Sequence, residues 1–230
     1  MIKRIIYLLI TIAVVFSACD KGDEYKSFIP KGEKIYPGID TAVAHYGGNK
    51  RLLLTWPSSP DQRVSKYVVY WNNRLDSMVI KEVSHSPKDT VKALINNLSE
   101  GSYTFVINSF DNKGNRSVDV EENNAIVYGP IYNENLFNRP VNRTDYNADS
   151  KAVNIYWEVP DIGNVKTEIT FTAMDGKTEM VVLKPEEEQT VISGWKAGTV
   201  IYYQSYYKPD PRAIDVFKVL LPGSIVPGGR

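Results

Sequence analysis

The sequence predicts an all-β chain in which two β-sandwiches follow one another behind an N-terminal leader. Beyond Gly38, short apolar runs alternate with turn residues, and no stretch has the periodicity of a helix. A strand that ends in tryptophan, Arg51–Trp56, returns as Lys151–Trp157. Gly101 likewise returns as Gly198. Both offsets are about 100 residues, the size of one sandwich module, so the repeat favours a tandem pair over one large barrel.

The first 18 residues have the three-part layout of a secretory signal. Lys3 and Arg4 are positively charged, an apolar run extends to Phe16, and small residues precede Cys19, the only cysteine of the chain. The apolar run has about a dozen residues, whereas a membrane-spanning helix needs about 20. The pattern therefore favours a cleaved signal over a transmembrane anchor. One cysteine can form neither an internal disulfide nor a cysteine-based zinc site.

The order Phe16-Ser17-Ala18-Cys19 resembles a bacterial lipobox, with phenylalanine where leucine is usual. The resemblance implies cleavage before Cys19 and a lipid on its sulfur, and two or three acyl chains are enough to hold a protein on a membrane. Residues 19–38 would then form a lipidated tether. The acidic stretch Asp20–Glu24 resembles the surface-export signal of Bacteroidetes lipoproteins, although Asp20 alone would indicate retention in the inner membrane. We expect an outer-membrane protein that faces the cell exterior.

The first module is predicted to span 39–125 and to contain seven strands, which is the spacing of a sandwich. The expected strands lie near 41–46 and at 51–56, 66–71, 77–83, 90–95, 101–107 and 116–121. Pro57 and Asn72-Asn73 mark the ends of two of them. Asp111–Asn115 predicts a hairpin turn, because Gly and Asn accept positive φ and Lys113 breaks the pattern of a calcium loop.

A linker at 126–138 leads to the second module, predicted at 139–222 and followed by a flexible tail at 223–230. The expected strands lie at 151–157, 167–172, 178–183 and 190–193, with a Tyr-rich strand after Gly198. That last strand carries Tyr202, Tyr203, Tyr206 and Tyr207. Because neighbouring residues of a strand alternate faces, either the 202/206 pair or the 203/207 pair must be exposed or covered by the other module.

Two interpretations of these tyrosines stay open. They line a seam between the modules together with Tyr132 and Phe137 of the linker, or they form a binding platform for sugar or protein. Tyr70 is added to the platform residues, because Trp71 and its alternate neighbours Tyr67 and Val69 are expected to point inward. Trp56 and Trp157 are expected in the two cores.

Three features of the first module resemble fibronectin type III domains: Trp56, the pattern Tyr67-x-Val69-x-Trp71, and the segment Leu98–Tyr103 with Gly114 after it. The resemblance implies a tyrosine corner, in which the Tyr103 hydroxyl binds nearby backbone. The second module departs from this pattern. Val200 stands where Tyr103 stands in the first, so the second corner is expected to be absent or rebuilt from Tyr202.

The chain also resembles an uncharacterised lipoprotein family of Bacteroidetes over nearly its whole mature length. The stretches that carry the resemblance are Gly32–Gly38, Lys66–Ser77, Leu136–Pro140 and Pro209–Asp215. Relatives often continue into a C-terminal discoidin-like sugar-binding domain, which this sequence does not contain. The family has no known activity, so the resemblance implies location and architecture only.

No motif of a catalytic, metal or cofactor site stands out. The net charge of zero argues against nucleic acid as a partner. His45 and His85 are the only histidines; His45 is expected on the first strand and His85 in a loop between strands, and neither is expected to be a metal ligand. Glu186–Glu188 could suggest a glycosidase, but such enzymes need two carboxylates that face each other across a cleft. We therefore expect no catalytic residue, no metal and no cofactor.

The sequence thus favours a non-catalytic surface lipoprotein, attached to the membrane through Cys19, whose two modules bind glycan or an outer-membrane protein. The alternatives are a spacer for a C-terminal domain absent from this sequence and, less favoured, an accessory glycan hydrolase. Asp-Thr-Ala, Asp-Ser-Met and Asp-Thr-Val resemble the O-glycosylation motif of exported Bacteroidetes proteins, which makes Thr41, Ser77 and Thr90 candidate acceptors.

Overall fold

Four antiparallel sheets make up most of the chain that the computed structural model describes, which is residues 42–81 and 83–228. The sheets pair into two sandwiches, one before and one after a short helix, α1 (Pro130–Glu134). Each sandwich has its own cluster of buried side chains. The prediction of an all-β fold with two tandem immunoglobulin-like sandwiches is confirmed.

Sandwich 1 has seven strands. They are β1 (Ala44–Gly48), β2 (Arg51–Pro57), β3 (Val64–Trp71), β4 (Asp76–Ile80), β5 (Thr90–Asn96), β6 (Gly101–Asp111) and β7 (Val120–Val127). The sheet β1-β2-β5 packs on the sheet β4-β3-β6-β7. Strand β2 alternates buried and half-exposed residues, and Trp56 and Tyr67 meet edge to face in the core with ring centroids 5.5 Å apart.

Sandwich 2 repeats the plan. Its strands are β8 (Val141–Asn147), β9 (Ala152–Trp157), β10 (Asn164–Thr172), β11 (Thr178–Leu183), β12 (Gln189–Ser193), β13 (Ile201–Tyr207), β14 (Phe217–Lys218) and β15 (Gly223–Ile225). One sheet has the order β8-β9-β12; the other has the order β11-β10-β13, with β14 and β15 both on the far side of β13. Trp157 is buried at the centre, as Trp56 is in sandwich 1.

Strand register shows that the two sandwiches are internal copies. Lys66 pairs with Phe110 just after a β-bulge in β3, and Lys166 pairs with Tyr206 just after a β-bulge in β10. In each case the lysine ammonium lies over the ring of its partner, 5.1 Å from the centroid in sandwich 1 and 4.5 Å in sandwich 2. Residues of β3 and β10 can therefore be matched one by one from this shared pair.

Two predicted segments differ from the structure. The last strand of sandwich 1 runs from Val120 to Val127 and not from 116 to 121, because the hairpin loop extends through residues that make only an isolated bridge at Arg116. The tail predicted at 223–230 is wrong for Gly223–Ile225. Ile225 is buried in the core of sandwich 2, and Gly223 lies so close to the Tyr203 ring that a Cβ would come within 2.3 Å of it.

The sandwiches meet at a polar and aromatic seam. Arg51 donates two hydrogen bonds to the Asp215 carboxylate, from Nε at 2.8 Å and from Nη2 at 2.5 Å. A side chain at Gly48 would not fit there, because its Cβ would lie 2.3 Å from Asp215 Oδ2. Beside this pair, Tyr132 of α1 packs edge to face on Phe217, 5.0 Å between centroids.

Candidate functional site

The structure separates the predicted tyrosine platform into inward and outward pairs. Tyr207 is 1% exposed and Tyr203 packs against the sandwich 2 core, with its ring 5.2 Å from that of Trp157. Tyr202 is 49% exposed and lies with Tyr206 on the outer face of the same sheet. Tyr203 and Tyr207 are therefore core residues and not platform residues.

Tyr206 is held by its neighbours. Its hydroxyl donates to Glu168 at 2.6 Å, Glu168 also accepts from Lys166 at 2.7 Å, and a second ammonium, that of Lys218, lies 5.6 Å from the ring centroid. Burial, and then the hydrogen bond to Glu168, raise the pKa of Tyr206 to about 12. With its polar groups satisfied within the protein, Tyr206 offers little to a ligand, and Tyr202 is the one freely exposed tyrosine of β13.

Tyr70 lies in the other sandwich, where it lines part of a larger depression. Two adjoining cavities of about 470 and 350 Å³ share Asn73 and Thr104. We call them together the Asn72 groove. It is lined by Tyr70, Trp71, Asn72, Asn73, Arg74, Glu100, Gly101, Ser102, Tyr103, Thr104, Val106 and Glu121. These residues come from the β3–β4 hairpin, β6 and its preceding turn, and β7, so sequence spacing alone could not have assembled the set.

The hairpin between β3 and β4 carries an unusual backbone. Asn72, Asn73 and Arg74 have φ values of 49°, 52° and 64°, three left-handed residues in succession without a glycine. Such residues are uncommon singly, and asparagine tolerates the conformation best. The Leu75 amide closes the turn by donating to the Asn72 carbonyl at 3.1 Å, and the Asn72 side chain donates to Asp76 at 2.6 Å. The turn therefore holds the side chains of Asn73 and Arg74 in fixed positions over the sheet.

Arg74 covers one side of Tyr70. Its guanidinium lies 5.0 Å from the centroid of the tyrosine ring, and its Nη2 donates to Asp119 at 2.6 Å. The buried amide of Asn108 donates to the other oxygen of Asp119 at 2.9 Å. Hydrogen bonds from Asn108 and then from Arg74 hold the pKa of Asp119 below its usual range. Arg74 is thus fixed before any ligand arrives.

The tyrosine corner of sandwich 1 is confirmed and borders the groove. The Tyr103 hydroxyl donates to the Ser99 carbonyl at 3.0 Å. In sandwich 2 the equivalent carbonyl, that of Lys196, accepts from the Thr199 hydroxyl at 2.7 Å. The corner is therefore not rebuilt from Tyr202, which lies on the outer face of its sheet; a local contact from Thr199 satisfies the carbonyl instead.

The remaining candidates lie apart from the groove. His45 lies in β1, where Nδ1 is 2.5 Å from Glu122, and His85 lies in the loop before β5. The Asp111 carboxylate accepts from the backbone of Lys113 and Asn115 and from the Asn115 side chain, which forms the predicted hairpin. Glu187 accepts from the Lys184 amide in a surface turn.

Among the candidate acceptors for sugar, Ser77 is exposed on β4 and Thr90 is exposed at the start of β5. Thr41 and the predicted lipidation site, Cys19, lie outside the described residues. Within residues 42–81 and 83–228, no helix has the length and apolar character needed to cross a bilayer.

Comparisons with known proteins identify a family of unknown function. The model of a family described as a domain of unknown function, DUF4998, matches residues 19–217. No curated protein matches the sequence. Two solved structures are similar. The FN1–FN3 domains of chicken CNTN1 match with 14% identity over 84% of this chain and a TM-score of 0.40. A two-domain fibronectin type III segment of chicken tenascin matches with 10% identity over 80% of this chain and a TM-score of 0.31. This chain spans 65% of the CNTN1 fragment and 97% of the tenascin segment.

Proposed function

The chain belongs to DUF4998, a family of domains of unknown function, and on that footing we propose that it is a non-catalytic, lipid-anchored surface protein that binds glycan through the Asn72 groove. The membrane anchor is the lipid on Cys19. Residues 19–38 form the tether between this lipid and the sandwich that carries the groove.

The chemistry of the groove suits a hydroxyl-rich ligand. Amides at Asn72 and Asn73 and hydroxyls at Ser102 and Thr104 can donate and accept hydrogen bonds, and the carboxylate of Glu121 accepts them, over a short stretch of surface. Tyrosine adds an apolar ring with a polar tip. Convergent polar groups on a concave surface fix the orientation of a small ligand, and here they outnumber the apolar groups.

The observation that carries the proposal is the left-handed turn at Asn72–Arg74. Strained backbone persists where the surroundings enforce it, and it concentrates at functional sites. Here it sets Asn73 at the junction of the two cavities and Arg74 over Tyr70. Pre-organised side chains lose little conformational entropy when they bind, which favours affinity for a polar ligand that competes with water.

A glycan array probed with the full chain tests this proposal. We expect binding to a restricted set of glycans, and an affinity about tenfold lower for Asn73→Ala, since tenfold corresponds to about 1.4 kcal/mol. Tyr70→Ala should weaken binding by a similar factor. Tyr202→Ala is the matched control, because Tyr202 is exposed on the corresponding sheet face of sandwich 2.

An array that stays silent, or equal losses in Asn73→Ala and Tyr202→Ala, would remove the groove from consideration. Retention of one outer-membrane protein from solubilised membranes, lost in Asn73→Ala but kept in Tyr202→Ala, would replace glycan by protein as the ligand.

The anchor has its own test. Mass spectrometry of the mature N-terminal peptide should show a lipid on Cys19, and Cys19→Ala should release the protein from membranes. Protease added to whole cells should degrade the wild-type protein if it faces the exterior. A bare thiol in the mature product would contradict the anchor without affecting the groove.

A spacer function is the second candidate, and the seam supports it. The Glu100 carboxylate accepts from the backbone amides of Ile131 and Tyr132 at 2.6 and 2.7 Å, which ties α1 to sandwich 1. Tyr207 donates to the Phe137 carbonyl at 2.9 Å, which ties the same linker to sandwich 2. A rigid tandem suits a protein that holds another domain at a set distance, and it would leave Asn73→Ala without effect on binding.

A further inference from the structure

Strand β11 forms an open edge of sandwich 2. It pairs only with β10 among the described strands, over six consecutive residue pairs without a bulge. Its outward side chains Met180 and Val182 are 58% and 45% exposed, and its inward Val181 is only partly covered by the core. A regular edge with apolar residues on both faces is a template for a further strand.

The equivalent edge of sandwich 1 is less apolar. Register matches Val79 to Val182, because their partners Val68 and Glu168 are equivalent, and it matches Ser77 to Met180. The outward pair is therefore serine and valine in β4 but methionine and valine in β11. Strand β11 also has exposed Tyr202 two strands away on the same face.

We propose that β11 pairs with β11 of a second copy of this chain, in an antiparallel arrangement with Val181 opposite Val181. The edge of an antiparallel sheet is complementary to itself under a two-fold axis, so one surface supplies both halves of the interface. The outer faces of both sheets are continuous only when opposite residues lie on the same face. This register meets that condition, and it places Met180 opposite Val182 twice.

The charges around β11 favour this register. Lys177 and Lys184 flank the strand, and with Val181 at the centre Lys184 lies opposite Thr178 while Lys177 lies opposite Pro185. Within residues 177–185, no charged side chain therefore lies opposite a like charge, and like charges directly opposite each other would oppose pairing. The chain has a formal net charge of zero, so two copies do not repel each other at long range.

Disulfide trapping tests the pairing and its register together. In the full chain with Cys19→Ser, kept in mild detergent, an added cysteine is the only thiol. Directly opposite residues have Cα atoms about 4.5–5.5 Å apart, within the range of a disulfide. Val181→Cys should therefore give a covalent dimer on mild oxidation, about fivefold more than Val182→Cys or Val79→Cys. Equal yields from the three variants, or no dimer, would overturn the proposal.

Sedimentation of the chain without an added cysteine is the second measurement. Val182→Lys should abolish a concentration-dependent dimer, and Val79→Lys, at a residue of nearly the same exposure, should leave it unchanged. A wild-type chain that sediments as a monomer at every concentration contradicts the pairing. The pairing is also contradicted if Val181→Cys forms a disulfide in whole cells only with a protein of a different mass.

Discussion

The two sandwiches share strand register but fill the same part of their cores with different chemistry. In sandwich 1, Tyr67 is fully buried and its hydroxyl accepts from the Ser59 amide at 2.8 Å. The equivalent residue of sandwich 2 is Thr167, whose hydroxyl hydrogen-bonds that of Ser205 at 2.8 Å. The Ser205 hydroxyl also accepts from the backbone amide of Arg139 at 2.9 Å. Arg139 is 1% exposed, so a guanidinium is buried in the region where sandwich 1 has a phenol.

Arg139 lies in the segment between α1 and β8 and not in a strand. Its Nε donates to the Glu158 carbonyl at 2.6 Å, and Nη1 lies 3.4 Å from the carbonyls of Lys184 and Pro185. Burial lowers the pKa of the Arg139 guanidinium. Sandwich 1 completes this part of its core with its own strands, whereas sandwich 2 completes it with the segment that connects it to sandwich 1. The second copy therefore depends on the junction for its stability.

The largest effect is expected from Arg139→Ala. The change leaves a cavity at a buried side chain and removes the donors to three backbone carbonyls, so we expect the free energy of unfolding to fall by about 3 kcal/mol. The loss should concentrate in sandwich 2. Denaturant unfolding gives the total, and hydrogen exchange of β9 compared with β2 gives its location.

Two further variants help to assign the loss of stability in Arg139→Ala to its causes. Arg139→Met keeps an apolar stem of similar length, so a smaller loss than in Arg139→Ala would measure the cavity separately from the hydrogen bonds. Arg143→Ala, at a side chain 58% exposed, is the matched control and should change stability by less than about 0.5 kcal/mol. If β2 and β9 lose protection equally in Arg139→Ala, sandwich 2 does not depend on Arg139 in particular.

An intermediate effect is expected at the two corners. Tyr103→Phe and Thr199→Val each remove one hydroxyl donor to equivalent carbonyls, those of Ser99 and Lys196. Each should lower the free energy of unfolding by about 1 kcal/mol, the usual net contribution of one hydrogen bond. Thermal unfolding of both variants measures the difference. No effect of Thr199→Val beside a clear loss in Tyr103→Phe would show that threonine does not replace the tyrosine corner.

Features that depend on local periodicity could be predicted from the sequence. The Trp56 and Trp157 strands follow from alternation and from their repeat, and the Tyr103 corner follows from a resemblance that the hydrogen bond to Ser99 confirms. Alternation of faces along β13 leaves two possible outward pairs of tyrosines, and the burial of the side chains in the structure identifies Tyr202 and Tyr206 as the outward pair.

Features that depend on distant segments could not be predicted. Arginine is usually a surface residue, and the burial of Arg139 depends on carbonyls from two loops that follow it in the chain. Strand β15 has three residues, too few for a pattern, and its pairing is set by its contact with Tyr203. The Asn72 groove joins a hairpin to strands about 30 to 50 residues further along, which no local reading connects.

The smallest effect, and the one that tests whether the sandwiches share their stability, is expected at the seam. The hydrogen bonds from Arg51 hold the pKa of Asp215 below its usual range. A carboxyl whose pKa is lowered in the folded state adds stability above its unfolded pKa of about 3.9, and this stability is lost as the pH falls through the folded value. The Arg51 side chain is 40% exposed, so solvent screening limits the contribution of the ion pair to about 1 kcal/mol or less.

Asp215→Asn should therefore destabilise the protein slightly at pH 7 and flatten the fall in stability between about pH 5 and pH 3. Denaturant midpoints for the wild type and the variant at several pH values measure this difference, and high salt should reduce it. Identical pH profiles would mean that the ion pair orients the two sandwiches without stabilising either of them.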